Sequence, residues 1–194
     1  MLQKGWVRMA KKKNELWEWT KAVIIAVIAA TLIRYFLLAP IVVDGNSMMP
    51  TLKDTDRMIV NKISYSIGEP KRFDIIVFEA PEGKDYIKRV IGLPGEKVEY
   101  RDDTLYVNGK AYDEPYLDEY KEQLIDGGDL TEPFTLSDVI EQGTVPEDTL
   151  FVLGDNRRFS KDSRHIGVGV VPYDKVLGKT KLVYWPIEDF RLAE

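Results

Sequence analysis

The chain has 194 residues, enough for one good-sized core with room for a tail or an inserted subdomain. Hydrophobic residues at 44% and charged residues at 30% describe a folded protein, and a formal net charge of −5 argues against a general nucleic-acid binder, which needs a basic surface. With no cysteine there is no thiol nucleophile, disulfide or cysteine metal site, and with His165 as the single histidine a multi-histidine site is excluded. A hydrolase built on this sequence must take its base from Lys, Asp, Glu or that one His.

Charge is distributed unevenly. Residues 1–21 carry Lys4, Arg8, Lys11, Lys12, Lys13 and Lys21 against Glu15 and Glu18, a balance of +4 that leaves −9 for the rest. A basic head before an acidic body suggests different surroundings for the two ends. Residues 20–39 then read TKAVIIAVIAATLIRYFLLA, about the 20 residues that span a bilayer core as a helix. The charges of Lys21 and Arg34 lie near the ends of this run, where they can snorkel. Trp17 and Trp19 fall at one interface and Tyr35 and Phe36 at the other, as in an aromatic belt. Pro40 is expected to end the helix, and the positive-inside rule puts the N-terminus in the cytoplasm and residues 40–194 outside. A cleaved secretory leader shares the basic start and apolar middle, but no clean small-x-small cleavage site follows.

Beyond the span the sequence predicts strands at 41–45, 57–63, 74–80, 85–93, 97–112, 149–155 and 178–187, punctuated by Gly, Pro, Asn and Asp. Asp102-Asp103 reads as one hairpin tip and Asn108-Gly109 as another. The acidic stretch 113–146 alternates poorly and reads as a loop-rich surface excursion or cap. The expected organisation is a basic cytoplasmic tail (1–19), a single transmembrane anchor helix (20–39) and a mostly β, extracytoplasmic catalytic domain (40–194), with 97–146 as an inserted hairpin and cap.

Among the serines Ser47, Ser64, Ser66, Ser137, Ser160 and Ser163, Ser47 stands out by context. It follows Asp44-Gly45-Asn46 at a strand end and precedes Met48-Met49-Pro50, which puts its hydroxyl on a sharp turn with free backbone N–H groups. A serine in a Gly-Asn-Ser turn can equally be turn chemistry alone. A serine nucleophile needs a base. Lys88, inside Tyr86-Ile87-Lys88-Arg89-Val90-Ile91, shares a strand face with Tyr86 and Val90, and burial there would lower its pKa toward the range of a useful base. The alternative is a solvated lysine beside a buried Arg89, or both on an edge strand. A third cluster, Gly154-Asp155-Asn156-Arg157 with Ser160-Lys161-Asp162-Ser163-Arg164, is either a hydrogen-bonded support shell or a polar surface loop. His165 reads as structural.

Taken in order, the anchor, Gly45-Asn46-Ser47-Met48-Met49-Pro50-Thr51-Leu52, Asp56-Arg57-Met58-Ile59-Val60-Asn61-Lys62, Tyr86 to Gly95, and Gly154 to Arg164 resemble the bacterial type I signal peptidases of the Gram-positive kind. The resemblance covers most of the chain outside 97–146. It implies Ser47 as nucleophile, Lys88 as general base, Ser160 as a hydrogen-bond partner of the lysine, an Asp162–Arg164 supporting ion pair, a structural Arg89, and Met48 packed near the catalytic pair. Where Gram-negative members carry a serine oxyanion donor this chain has Gly45, which leaves the Ser47 N–H and a donor unidentified from sequence.

The implied reaction is acyl transfer by a Ser-Lys dyad on secretory preproteins with small residues at the first and third positions before the cut. The substrate would lie extended beside 41–45 and 85–88, with Val43, Asp44, Met48, Leu52, Tyr86 and Ile87 as the expected binding residues. The bilayer is an expected partner, nucleic acid is not, and no metal or cofactor is implied. Two rivals are weighed. A self-cleaving repressor shares the chemistry but is soluble and carries a DNA-binding domain. A silent, membrane-tethered β-domain that binds proteins would have no use for Ser47 and Lys88.

Overall fold

The computed structural model describes residues 15–32, 37–62 and 68–193. The chain divides into two units, residues 1–36 and 37–194. The described part of the first is one helix, α1 (Glu15–Leu32), with no buried residue. Glu15 and Glu18 in its first turn complement the positive end of the helix dipole. Thr20 and Thr31 return their hydroxyls to the Leu16 and Val27 carbonyls at 2.8 Å, so neither needs an outside partner. No helix among the described residues is long and apolar enough to cross a membrane. The 18 residues of α1 include Glu15, Glu18 and Lys21, and the expected span continued through Ile33, Arg34, Tyr35 and Phe36, which lie outside the described residues, as do Lys4 to Lys13, Ser64 and Ser66.

The expectation that Pro40 ends a helix is corrected. Leu38–Val42 is a strand, β1, with Pro40 at its centre opposite Ile59. Proline is tolerated because β1 is an edge strand, bonded only to β2 (Arg57–Asn61), where a missing N–H leaves no ladder bond unmade on the open side.

The second unit is built on two antiparallel sheets. The larger runs β1–β2–β11–β3–β4–β9–β10, with β3 at Ile75–Glu79, β4 at Asp85–Gly92, β9 at Thr149–Leu153, β10 at Val171–Pro172 and β11 at Val176–Trp185. A last strand, β12 (Arg191–Leu192), pairs with the far half of β11. β10 and β12, two residues each, are too short for alternation to reveal. The smaller sheet, β7–β6–β5–β8, comes from β5 (Val98–Arg101), β6 (Thr104–Val107), β7 (Lys110–Tyr112) and β8 (Phe134–Thr135). Both expected hairpin tips are present: Asp102 and Asp103 have φ 48° and 56°, Asn108 and Gly109 φ 51° and 79°, the two left-handed residues of tight turns whose twist matches the strands.

Three apolar clusters hold these layers together. Ile91, Phe151 and Leu153 of the large sheet pack on Val98, Tyr100, Leu105 and Val107 of the small one. The opposite face buries Ile76, Phe78, Val90, Leu150 and Val152. Val43, Met48, Leu52, Met58, Ile75 and Val183 form the third, directly under residues 43–52. Because β3 and the second half of β4 are covered on both faces, polar side chains there are buried whichever way they point.

The stretch 113–146 is more than a surface excursion. It holds a short helix, α2 (Asp118–Glu122), and β8, and it contributes buried Leu117, Leu130, Thr131, Leu136 and Val145. Its buried Glu114 pairs with Arg157 at 2.6 Å. Acidic composition hid this because the burial of so few positions needs no periodic pattern.

Candidate active site

Ser47 lies in the turn after β1. Gly45 takes φ +92°, a backbone conformation that L side chains rarely adopt, and its N–H donates to Asp54 Oδ1 at 2.8 Å. From the far side the loop after β9 grips the same turn. The Asn156 N–H donates to the Ser47 carbonyl at 3.1 Å and its Nδ2 to the Asn46 carbonyl at 3.0 Å. Gly154 is wedged so closely that a Cβ there would lie 2.4 Å from the Ser47 carbonyl oxygen and 2.2 Å from Ser160 Oγ. With Met48 and Leu52 buried as anchors below, the turn is fixed from three directions.

Lys88 is 3% exposed, and its Nζ lies 2.8 Å from Ser47 Oγ and 2.8 Å from the Ile87 carbonyl. Burial is the dominant influence on it and lowers its pKa from 10.5 to about 8, opposed by the charges of Asp162 and Asp155. A neutral lysine amine is therefore accessible near neutral pH, within hydrogen-bond reach of a hydroxyl. That pairing is what general-base activation of a serine requires.

The remaining expected site residues divide between the loop after β9 and the far face of β4. Asp162, fully buried, accepts from Arg164 Nε at 2.9 Å and Nη2 at 2.8 Å and from the Gly154 N–H at 3.1 Å, so the expected ion pair is formed and also holds the β9 loop. Arg89 is buried on the opposite face of β4, where its Nε and Nη2 grip Asp155 at 2.9 and 2.7 Å. Ser160, expected to hydrogen-bond Lys88, instead leaves its buried Oγ without a partner among the described residues, packed against Gly154. His165 is exposed, and its Nδ1 accepts from the Gly167 N–H at 3.1 Å. Sequence reasoning did not assign Asp155 to Arg89, nor Thr51, whose hydroxyl donates to Asp155 Oδ2 at 2.5 Å. Both were within quoted motifs, but nothing in their spacing says which charges meet across 66 residues.

A groove of about 620 Å³ opens over the pair, between Ile41 to Met48 on one side and Lys84 to Lys88 on the other, with Val77, Phe159 and Lys161 completing it. Val43, Asp44, Met48, Tyr86 and Ile87 line it as expected. Leu52 does not, being fully buried beneath the turn. Both walls offer open strand edges: among the described residues β1 has no outer neighbour, and β4 pairs with β9 only from Arg89 onward.

Comparison with known proteins places this geometry. Residues 16–185 match the family model described as signal peptidase, peptidase S26. The chain is 48% identical over 183 residues to the signal peptidase I of Bacillus caldolyticus, covering 94% of this chain and 97% of that one. It is 41% identical over 183 residues to the signal peptidase IB of Staphylococcus aureus, covering 92% and 94%. A crystal structure of a signal peptidase I from Enterococcus faecalis is similar with a TM-score of 0.55 at 48% identity, over 58% of this chain and 97% of that one. The chain is thus a serine endopeptidase, a hydrolase. It belongs to the signal peptidase family, peptidase S26.

Proposed function

We propose that this chain removes signal peptides from secreted preproteins at the outer face of the membrane, with Ser47 as nucleophile and Lys88 as general base. The observation that carries the assignment is the 2.8 Å approach of a buried, pKa-lowered lysine to the hydroxyl of a clamped turn. Neutral Lys88 takes the Ser47 proton as Oγ bonds to the scissile carbonyl carbon. The C–N bond breaks, Lys88 returns the proton to the departing amine, and an acyl-enzyme remains. Water then attacks the ester, Lys88 takes its proton, and the serine is regenerated with release of the new carboxylate. The Ser47 N–H is the donor offered to the developing oxyanion.

The preprotein lies extended in the groove, bonding as an added strand to the open edges of residues 41–44 and 85–88. Val43 and Ile87 shape shallow pockets for small side chains. The basic N-terminus, and an α1 rich in apolar side chains with none buried, support a single-pass anchor that starts near residue 20 and ends before β1, with a cytoplasmic N-terminus, which holds the site where a spanning signal peptide emerges. Membranes bearing equal amounts of wild type, Ser47→Ala and Lys88→Ala, given a model preprotein, test the dyad. Cleavage by wild type alone is expected, and cutting by Lys88→Ala would transfer the base role elsewhere.

A further inference from the structure

The segment after β7 takes no part in the reaction as described, yet its first residues reach Arg89, the neighbour of Lys88 on β4. Two carboxylates act electrostatically on the Lys88 amine, those of Asp155 and Asp162, and each carries an arginine: Arg89 on Asp155 and Arg164 on Asp162. Arg89 touches this segment directly, whereas Arg164 is linked to it only through Arg157. The Tyr116 ring lies 3.7 Å from Arg89 Cζ, and the Tyr116 hydroxyl donates to Glu114 at 2.5 Å. Glu114 also accepts from Tyr100 at 2.9 Å and pairs with Arg157 Nη2 at 2.6 Å, and the Arg157 carbonyl accepts from Arg164 Nη2 at 2.7 Å. Glu114, Arg157, Tyr100, Arg89 and Asp155 are all buried, so each link is made away from water and none is readily replaced by solvent. Burial first, and the Glu114 carboxylate second, hold the Tyr116 hydroxyl well above its usual pKa, so it remains a donor.

We propose that Tyr116, backed by Glu114, is a positioning residue of the peptidase reaction: its ring holds Arg89 on Asp155 and so keeps that carboxylate neutralised beside Lys88. The inference rests on Lys88 being the base. Without the ring, Arg89 keeps its bonds to Asp155, the Phe73 carbonyl and the Thr51 hydroxyl but loses the cover on one face of its guanidinium, and water reaches the pair. A less compensated Asp155 favours the ammonium form of Lys88. The other groups around Lys88 are the Tyr86 ring at 5.1 Å on its own strand, and Asp44, Lys84, Asp85 and Lys161 along the groove. Its cross-strand neighbour on β3 is apolar Ile76. None of these touches Tyr116.

The test is the pH profile of kcat/KM for preprotein cleavage by the full chain in membranes, for wild type, Tyr116→Leu, Tyr116→Met and Tyr116→Phe, with Ser47→Ala and Lys88→Ala as controls. For Leu and Met the rising limb should move to higher pH by about half a unit or more, with activity lost at neutral pH, about threefold or greater, recovered in alkali. Tyr116→Phe keeps the ring and should stay within about 0.2 units of wild type. Met, flexible enough to fill the space, carries the test if Leu does not fold. A limb that stays at the wild-type pH in both, whatever the loss in amplitude, overturns the proposal and leaves Tyr116 as packing. Cleavage by Lys88→Ala is a different failure: it removes the base assignment itself.

Discussion

A lysine enclosed between two faces of a sheet destabilises the protein that carries it, and the sign of that effect is fixed by its pKa. Lys88 is lowered from 10.5 to about 8 by burial, so between those values the unfolded chain holds more protons than the folded one. Stability from this group therefore rises with pH across that window, and below about pH 8 the full penalty applies, on the order of 3 kcal/mol. Lys88→Met should abolish cleavage while stabilising the fold by about 1–3 kcal/mol at neutral pH. The gain should vanish near pH 10.5, which denaturant titration at two pH values would check. For wild type, kcat/KM should climb through about pH 8 as the amine loses its proton. Asp155 has the opposite character. Asp155→Asn leaves the buried Arg89 charge without its bidentate partner and should cost about 3–5 kcal/mol, read as a fall in denaturation midpoint. At this scale the proposed dyad is legible in motifs, because Ser47 in a Gly-Asn-Ser turn and Lys88 in an apolar strand each have a local context. Sequence does not assign Asp155 to Arg89, or Tyr116 to either, because those pairings depend on which loops meet.

Elements were legible wherever a local rule governs them. Alternation marks β2, β5 and β6, and the left-handed pairs at 102–103 and 108–109 follow from Asp-Asp and Asn-Gly. β1 was misjudged because an apolar run leading into proline has the same signature whether it ends a helix or forms an edge strand; only the position at the sheet margin decides. A similar dependence on neighbours appears at Gly178, where the register of β11 against β3 shifts between Val176 and Gly178. A Cβ there would meet the Asn61 carbonyl oxygen at 2.5 Å and Val60 Cγ1 at 2.7 Å, so backbone must move. Gly178→Ala should destabilise by about 2 kcal/mol or more and broaden amide-exchange protection loss along β2, with the dyad residues themselves unaltered.

For the whole molecule, the division into residues 1–36 and 37–194 suggests that catalysis and localisation are separable. A fragment from Leu37 should keep a cooperative unfolding transition, because every strand and all three apolar clusters lie within it. It should cut a short soluble peptide within a few-fold of the full chain, yet process a membrane-inserted preprotein at least about tenfold less, since tethering supplies effective concentration. Equal loss on both substrates would place α1 in the fold of the catalytic unit instead.

What the sequence determined alone is what depends on near neighbours or on composition: the absence of thiol and multi-histidine chemistry, the basic and apolar N-terminus, the mostly β body, and two motif residues able to act as nucleophile and base. Only the tertiary structure decided that Lys88 and Ser47, 41 positions apart, stand 2.8 Å from each other. It also decided that Leu52 is foundation rather than groove, that Ser160 Oγ makes no bond to the lysine, and that an acidic stretch buries Glu114 behind the site. The reason is physical. Propensity and alternation act over a few residues, whereas desolvation and ion pairing are set by whichever distant segments the closing of the sheets brings together.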